Sequence, residues 1–364
     1  MRETTLRKRK EKLKQVRGLG LEGAYTKTLE QIQEQDENQS KLAMQALMWI
    51  SQSERPLRVD ELCHALAVEI GSTHLDPDDV PSIEAILGCC LGLIVVDKEA
   101  STVRPIHFTL QEYLREHSTL FSSPHGTIAE VCLTYLNLQS SKDPSPPSSE
   151  DMLKTPLLEY ASYYWGTHAR METTDAGESL ALKLLDQYDT HISATLLLSK
   201  VYRDQGLVWD GDWPEPKGFT GLHVVAFFGN TEIVAPLLKI KDWDLNGKDF
   251  VGRRPVTWAA MRGNLEMVGM LLGLKAVSVS KKDREGRTAL SWAAGNGYQE
   301  VVRILLTKDL ATSRIADNNG RRPLLWAAES GKEDTVNILL EKDANVDRVD
   351  SRGDSIHMRR CEWT

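Results

Sequence analysis

Two Gly-Lys pairs, Gly247-Lys248 and Gly331-Lys332, are the places where this 364-residue chain could begin a phosphate-binding loop. Such a loop needs another glycine five residues earlier, so that backbone N–H groups can curl around the phosphates while the lysine reaches them. Asp242 and Trp326 occupy those positions, so neither pair qualifies. Gly18, Gly20 and Gly23 match G-x-G-x-x-G. That fingerprint cradles a dinucleotide only behind a buried strand, and the upstream residues, RKRKEKLKQVR, cannot form one. Nine histidines are scattered without H-E-x-x-H spacing, and there is no nucleophile elbow. His64 and His107 lie in apolar surroundings and read as structural. The five cysteines (Cys63, Cys89, Cys90, Cys132, Cys361) form no C-x-x-C pair. Free thiols in a reducing, intracellular setting fit them, with Cys89 and Cys90 as core packing. The expectation is no catalytic residue, no cofactor and no metal site, in a protein that is not an enzyme.

What recurs instead is a set of side chains suited to contact. Arg253, Arg287 and Arg321 each follow a glycine, and Phe219 holds the same place earlier in the chain. Read as loop-tip residues, the arginines make a positive ladder that would meet an acidic surface and carry little packing. Trp258, Trp292 and Trp326 form a second column. It reads either as an aromatic contact stripe or, the favoured reading, as packing between neighbouring units. Met261-Arg262, Gly295-Asn296 and Glu329-Ser330 vary in type and are further contact candidates.

The elements that must position these residues repeat every 34 residues. Gly218, Gly252, Gly286 and Gly320 open four segments that align without gaps, and Gly229, Gly263, Gly297 and Gly331 recur inside them. Leu237-Leu238, Leu271-Leu272, Leu305-Leu306 and Leu339-Leu340 recur too, and Asp249, Asp283 and Asp317 each stand three residues before an opening glycine. Each unit reads as a glycine turn, a short helix rich in small residues, a glycine in the left-handed conformation, and a second helix with an acidic start (Glu266, Glu300, Asp334). One such pair cannot bury its apolar face alone; stacked pairs can.

Thr220-Gly-Leu-His223, Arg254-Pro-Val-Thr257, Thr288-Ala-Leu-Ser291 and Arg322-Pro-Leu-Leu325 make the pattern resemble the ankyrin repeat, D-x-x-G-x-T-P-L-H-x-A-A. The first unit keeps the histidine but has Glu215 for the leading aspartate. The resemblance implies units at 218–251, 252–285, 286–319 and 320–352 within a repeat domain 206–364, and a partial unit 353–364. It also implies that the aspartates serve the turn backbone, and that the repeats bind a protein ligand.

The other half is organised differently. A basic leader, 1–17, holds eight Lys/Arg against two Glu, and residues 18–216 are net −18. The expected domains are a lead-in helix 18–40, a winged-helix domain 41–120, and a helical region 121–205 with a Ser/Pro-rich loop at 139–150. Leu42, Ala46, Leu47 and Ile50 share a helix face. Helices are predicted at 59–70, with Leu62, Leu66 and Ile70 inward, and at 82–91. Strands are predicted at 94–96 and 103–108, followed by a helix opened by a Thr109/Glu112 capping box. The predicted recognition helix, SIEAILGCCLGL, lacks Arg, Lys and Asn and follows Asp76, Asp78 and Asp79, so no nucleic-acid partner is expected. The longest apolar run, 86–96, falls short of the roughly 18–20 residues that span a bilayer, so no membrane span is expected.

RPLRVDELCHAL (55–66), LGLIVVDKEASTVRPIHFTLQEYL (91–114), LEYASYYWGTHAR (158–170) and GLEGAYTKTLEQI (20–32) resemble parts of NACHT-type signalling proteins of the STAND/NLR-like, fungal kind. The fold class is then mainly α: winged helix and helical region, then an ankyrin solenoid. The resemblance implies the sensor half of an innate-immunity-like switch, without its ATPase core. The alternatives are a fragment of an ATP-driven oligomerising switch whose ATPase lies in a longer product or a partner, and, further off, a transcriptional regulator. A cytoplasmic location is expected, with nuclear import as the second reading of the basic leader.

Overall fold

The computed structural model describes residues 20–138, 154–204 and 216–342. The basic leader 1–17, the Ser/Pro loop 139–150 and the partial unit 353–364 lie outside them. The chain forms two compact units, the first ending at Glu172 and the second taking up at Thr173. That boundary falls inside the 121–205 segment that the sequence reading keeps whole.

The first unit is a winged helix extended at both ends. Helix α1 (Leu21–Gln33) buries Tyr25, Leu29 and Ile32. Helix α2 (Glu37–Gln52) starts where Asp36 accepts the Gln39 N–H at 3.0 Å. It buries Ala43, Ala46, Leu47 and Ile50, close to the predicted face. The short strand β1 (Leu57–Arg58) leads directly into α3 (Val59–Ala67). Fully buried Glu61 fixes that junction: it accepts the Arg58 N–H at 2.7 Å and both ends of the Arg55 fork at 2.8 and 2.6 Å. Helix α4 (Ile83–Cys89) is capped by Ser82. Strands β2 (Ile94–Asp97) and β3 (Thr102–Pro105) pair antiparallel with Val96 opposite Val103, and β1 adds to β3, giving the order β1-β3-β2. Helices α5 (Phe108–Glu116), α6 (Pro124–Asn137) and α7 (Leu158–Met171) complete the unit.

Three expectations need correction here. Helix α3 stops at Ala67, not at residue 70, and Ile70 is 43% exposed. The chain turns there, and Gly71 at φ +83° donates its N–H to Thr134 Oγ1. The second wing strand ends at Pro105, so Phe108 opens α5 instead of closing the strand. The N-cap of α5 is His107, whose Nδ1 accepts the Thr109 N–H at 3.3 Å. Thr109 lies inside the helix, and its hydroxyl bonds Tyr25 at 2.8 Å and the capping His107 Nδ1 at 2.9 Å.

The second unit begins with α8 (Asp175–Leu185) and α9 (Ile192–Asp204). Four helix pairs follow: α10 (Gly221–Phe228) with α11 (Thr231–Ile240), α12 (Pro255–Met261) with α13 (Leu265–Gly273), α14 (Ala289–Asn296) with α15 (Gln299–Lys308), and α16 (Pro323–Glu329) with α17 (Glu333–Glu341). First helices pack on first helices and second on second along the row. Gly297 ends α14 at φ +79°, in the left-handed cap that its spacing predicts. Lys332 of the next unit lies against it, so a Cβ here would meet the Lys332 stem at 2.7 Å. The conformation binds this turn to glycine, while the flexible Lys332 stem could move aside.

Candidate recognition face of the repeats

Each turn between units is organised by one aspartate. Asp249 Oδ1 accepts the N–H groups of Val251 at 3.0 Å and Arg253 at 2.7 Å. Asp283 does the same for Glu285 and Arg287, and Asp317 for Asn319 and Arg321. This bears out the turn role expected of them. The second oxygen has a partner the sequence reading missed. It accepts the indole N–H nine residues on: Trp258 at 2.9 Å, Trp292 at 2.8 Å and Trp326 at 3.2 Å.

With its N–H anchored, each indole presents a fixed face, and the arginines fill the spaces between faces. The Arg253 guanidinium carbon lies 5.2 Å from the ring centroid of Trp258, 4.7 Å from Trp292 and 5.6 Å from Tyr202. That of Arg287 lies 3.4 Å from Trp292 and 3.7 Å from Trp326. That of Arg321 lies 3.7 Å from Trp326 and also pairs with Asp317 at 3.1 Å and Glu329 at 3.5 Å. Arginine suits this place because its flat, weakly hydrated cation stacks on a ring where an ammonium would not.

The exposed positive ladder is therefore not what the chain builds. Arg253 is 2% exposed and Arg287 7%, and only Arg321 is half-buried. Arg253 Nη1 and Arg287 Nε have no hydrogen-bond partner and are directed among aromatic faces, which stabilise a buried cation that lacks a full set of acceptors. Burial lowers the Arg287 pKa to about 10, with the charges of Arg253 and Arg321 adding to the effect, and the group stays protonated at neutral pH. Phe219 is also fully buried, edge-on to Trp258 at 5.1 Å and to Tyr188 at 6.1 Å. Met261 is buried as well. These positions pack the array, and so do Trp258 and Trp292, as the favoured reading of the tryptophan column has it. Trp326, on the last described pair, is half-buried.

Other candidates do reach solvent. Arg262 is exposed, with its guanidinium 4.7 Å from the Phe227 ring, and Asn296 is exposed while its Nδ2 donates to the Met261 carbonyl at 3.0 Å. Glu329 is half-buried against Arg321. Arg262 and Asn296 close their first helices at corresponding places in successive pairs, held by the ladder beneath.

A signal for that ladder was present in the chain. The first unit has Glu215, Phe219 and Val224 where the next three have Asp, Arg and Trp. The three residue types change together, as parts of one cluster would.

Among the described residues no group of three or more His, Cys, Asp or Glu is placed to hold a metal, and no helix is long and apolar enough to cross a membrane. Cys63, Cys89, Cys90 and Cys132 are free and buried.

Two families match separate parts of the chain. Ankyrin repeats, in three copies, match residues 274–350. The GPI inositol-deacylase winged helix domain matches residues 30–123. A curated relative, azaphilone pigments biosynthesis cluster protein L from Monascus ruber, is 30% identical over 185 residues. The aligned stretch is 44% of this chain and 38% of that protein. The ankyrin match begins after α13, yet two further helix pairs, α10 with α11 and α12 with α13, precede it in the same row.

Proposed function

We propose that this protein is a non-enzymatic binding protein that recognises a protein ligand through its ankyrin repeats. The observation that carries this reading is the division of labour in the second to fourth repeats. Asp, Arg and Trp are used up in holding neighbouring pairs together, and this leaves Arg262 and Asn296 as exposed, unlike residues in corresponding places on a rigid support. Surfaces of that kind recognise partners with little ordering cost. Repeats are built for protein recognition rather than for chemistry, and the chain has no phosphate loop.

The finer reading is the sensor half of a NACHT-type signalling protein, acting in the cytoplasm. It is supported by a winged-helix match and an ankyrin match in one chain, in that order. A nucleic-acid partner is disfavoured by α4, whose exposed residues include Glu84, Ala85 and Gly88 and no cation. The rival reading, a piece of an ATP-driven switch, is separated by sequencing the transcript upstream for a Walker motif in frame.

The binding reading is tested by co-purification from the source cells with wild type and an Arg262→Glu/Asn296→Arg variant of the full chain. Proteins held by the first and lost by the second, at an unchanged unfolding midpoint, support it. The same proteins held by both place binding elsewhere.

A further inference from the structure

In the first unit, three aromatic side chains form a hydrogen-bonded chain from the interior to the surface. Tyr160 Oη lies 2.9 Å from His168 Nε2, and His168 Nδ1 lies 2.9 Å from His125 Nδ1. The two imidazoles are 5.2 Å apart between centroids and 26° from parallel planes, the arrangement of rings joined nearly end to end. Two ring nitrogens at that distance share one proton.

The Glu54 backbone N–H donates to Tyr160 Oη at 3.2 Å, and the Ser53 side chain, whose hydroxyl donates to the Trp49 carbonyl, bonds the same oxygen. The latch requires the tyrosine proton to lie toward His168 Nε2. A neutral His168 that accepts there carries its own proton on Nδ1 and donates it to His125. His168 and Tyr160 are fully buried, whereas His125 is half-buried and can exchange protons with solvent.

We infer that the Tyr160–His168–His125 chain is an acid-sensitive latch between α6 and α7, opened when His125 takes up a proton on Nδ1. The proton comes from solvent and occupies the lone pair that accepted from His168. Two N–H groups then face each other and the bond is lost.

The surroundings fit such a device. Glu172 on α7 and Glu54 before β1 favour the charged ring, while Arg115 on α5 opposes it. Glu172 also accepts the Gly126 N–H at 3.0 Å, one residue from His125. Just ahead stands Ser123 at φ +49°, a left-handed conformation uncommon for a serine, at the start of α6. Burial holds His168 at about 3 and His125 below the ordinary histidine value, so the outer ring titrates first.

The test is a pH titration of the full chain followed through the histidine Cε1–H signals, assigned with His125→Gln, together with amide exchange at Gly126. The expected result is a His125 midpoint below about 6.5, with the His168 signal and Gly126 protection changing at that same midpoint. Tyr160→Phe removes the donor that sets the His168 tautomer and should raise the His125 midpoint by about half a unit or more. A His125 titration that leaves His168 and Gly126 unmoved overturns the inference. So does a midpoint unchanged in Tyr160→Phe, because that would mean His125 already donates and keeps its bond when charged.

Discussion

The Arg287 guanidinium sits 3.7 Å from the ring of Trp326, a residue of the following repeat, and 3.4 Å from Trp292 of its own. A side chain that would be free on a loop tip thus joins two repeats. A desolvated cation–π contact is worth on the order of 2 kcal/mol, and removing the side chain also leaves a gap between two indoles. Arg287→Ala should therefore lower the stability of the repeats by about 2–3 kcal/mol. Arg287→Lys should recover little of the loss, because an ammonium neither stacks nor fills the slot. Urea unfolding followed by tryptophan emission checks both. Wild-type midpoints in both variants would mean that the stack contributes nothing.

Gly297→Val is expected to destabilise the same array. A β-branched residue at φ +79° costs about 1–3 kcal/mol in backbone strain, and its Cβ would also displace Lys332. Coupling between neighbours should broaden the unfolding transition as well as shift it. The urea midpoint of the variant measures the effect, and an unshifted midpoint would deny the cap.

His223 should make the repeats sensitive to acid. It is fully buried, its Nε2 donates to the Gly247 carbonyl at 3.1 Å, and its Nδ1 accepts the Thr220 N–H at 3.2 Å. Burial lowers its pKa to about 4, below the unfolded value of about 6.5. Its stabilising effect is therefore complete above pH 6.5 and is lost as pH falls toward 4. Asp249, raised by burial to about 6, works in the opposite direction, becoming costly as pH rises from about 4 to 6. Comparing wild type with His223→Gln across pH 4–7 cancels the aspartate, and the gap between the two should narrow steadily in acid. A constant gap would show that His223 does not titrate in this window.

The non-enzymatic reading predicts no heat of ATP binding in calorimetry of the full chain. Micromolar binding abolished by changing Gly247 or Gly331 would refute it.

Much of the repeat architecture is legible in the sequence, because a 34-residue period fixes which residues share a place. The Gly297 cap and the turn role of Asp249, Asp283 and Asp317 followed from residue type alone. The direction of Arg253 and Arg287 did not. Periodicity establishes that equivalent side chains project alike, but not whether they point outward or fold back onto a ring. Charge argued for the outside, and the indole faces, anchored by the aspartates, outweighed it. Element ends were missed for local reasons. His107 takes the cap of α5 because the helix starts at Phe108, one residue ahead of Thr109, and the Thr109 N–H finds the His107 ring nitrogen.

Recognition by the repeats requires that their exposed helix ends touch the partner. A photo-crosslinking amino acid placed at Arg262, at Asn296 and, for comparison, at Glu84 of the winged helix would decide it in source-cell extract. All three positions are exposed, so each variant should fold. Adducts of the same mass from positions 262 and 296, with none from 84, are the predicted result. Adducts from position 84 alone would contradict it and would assign recognition to the winged helix.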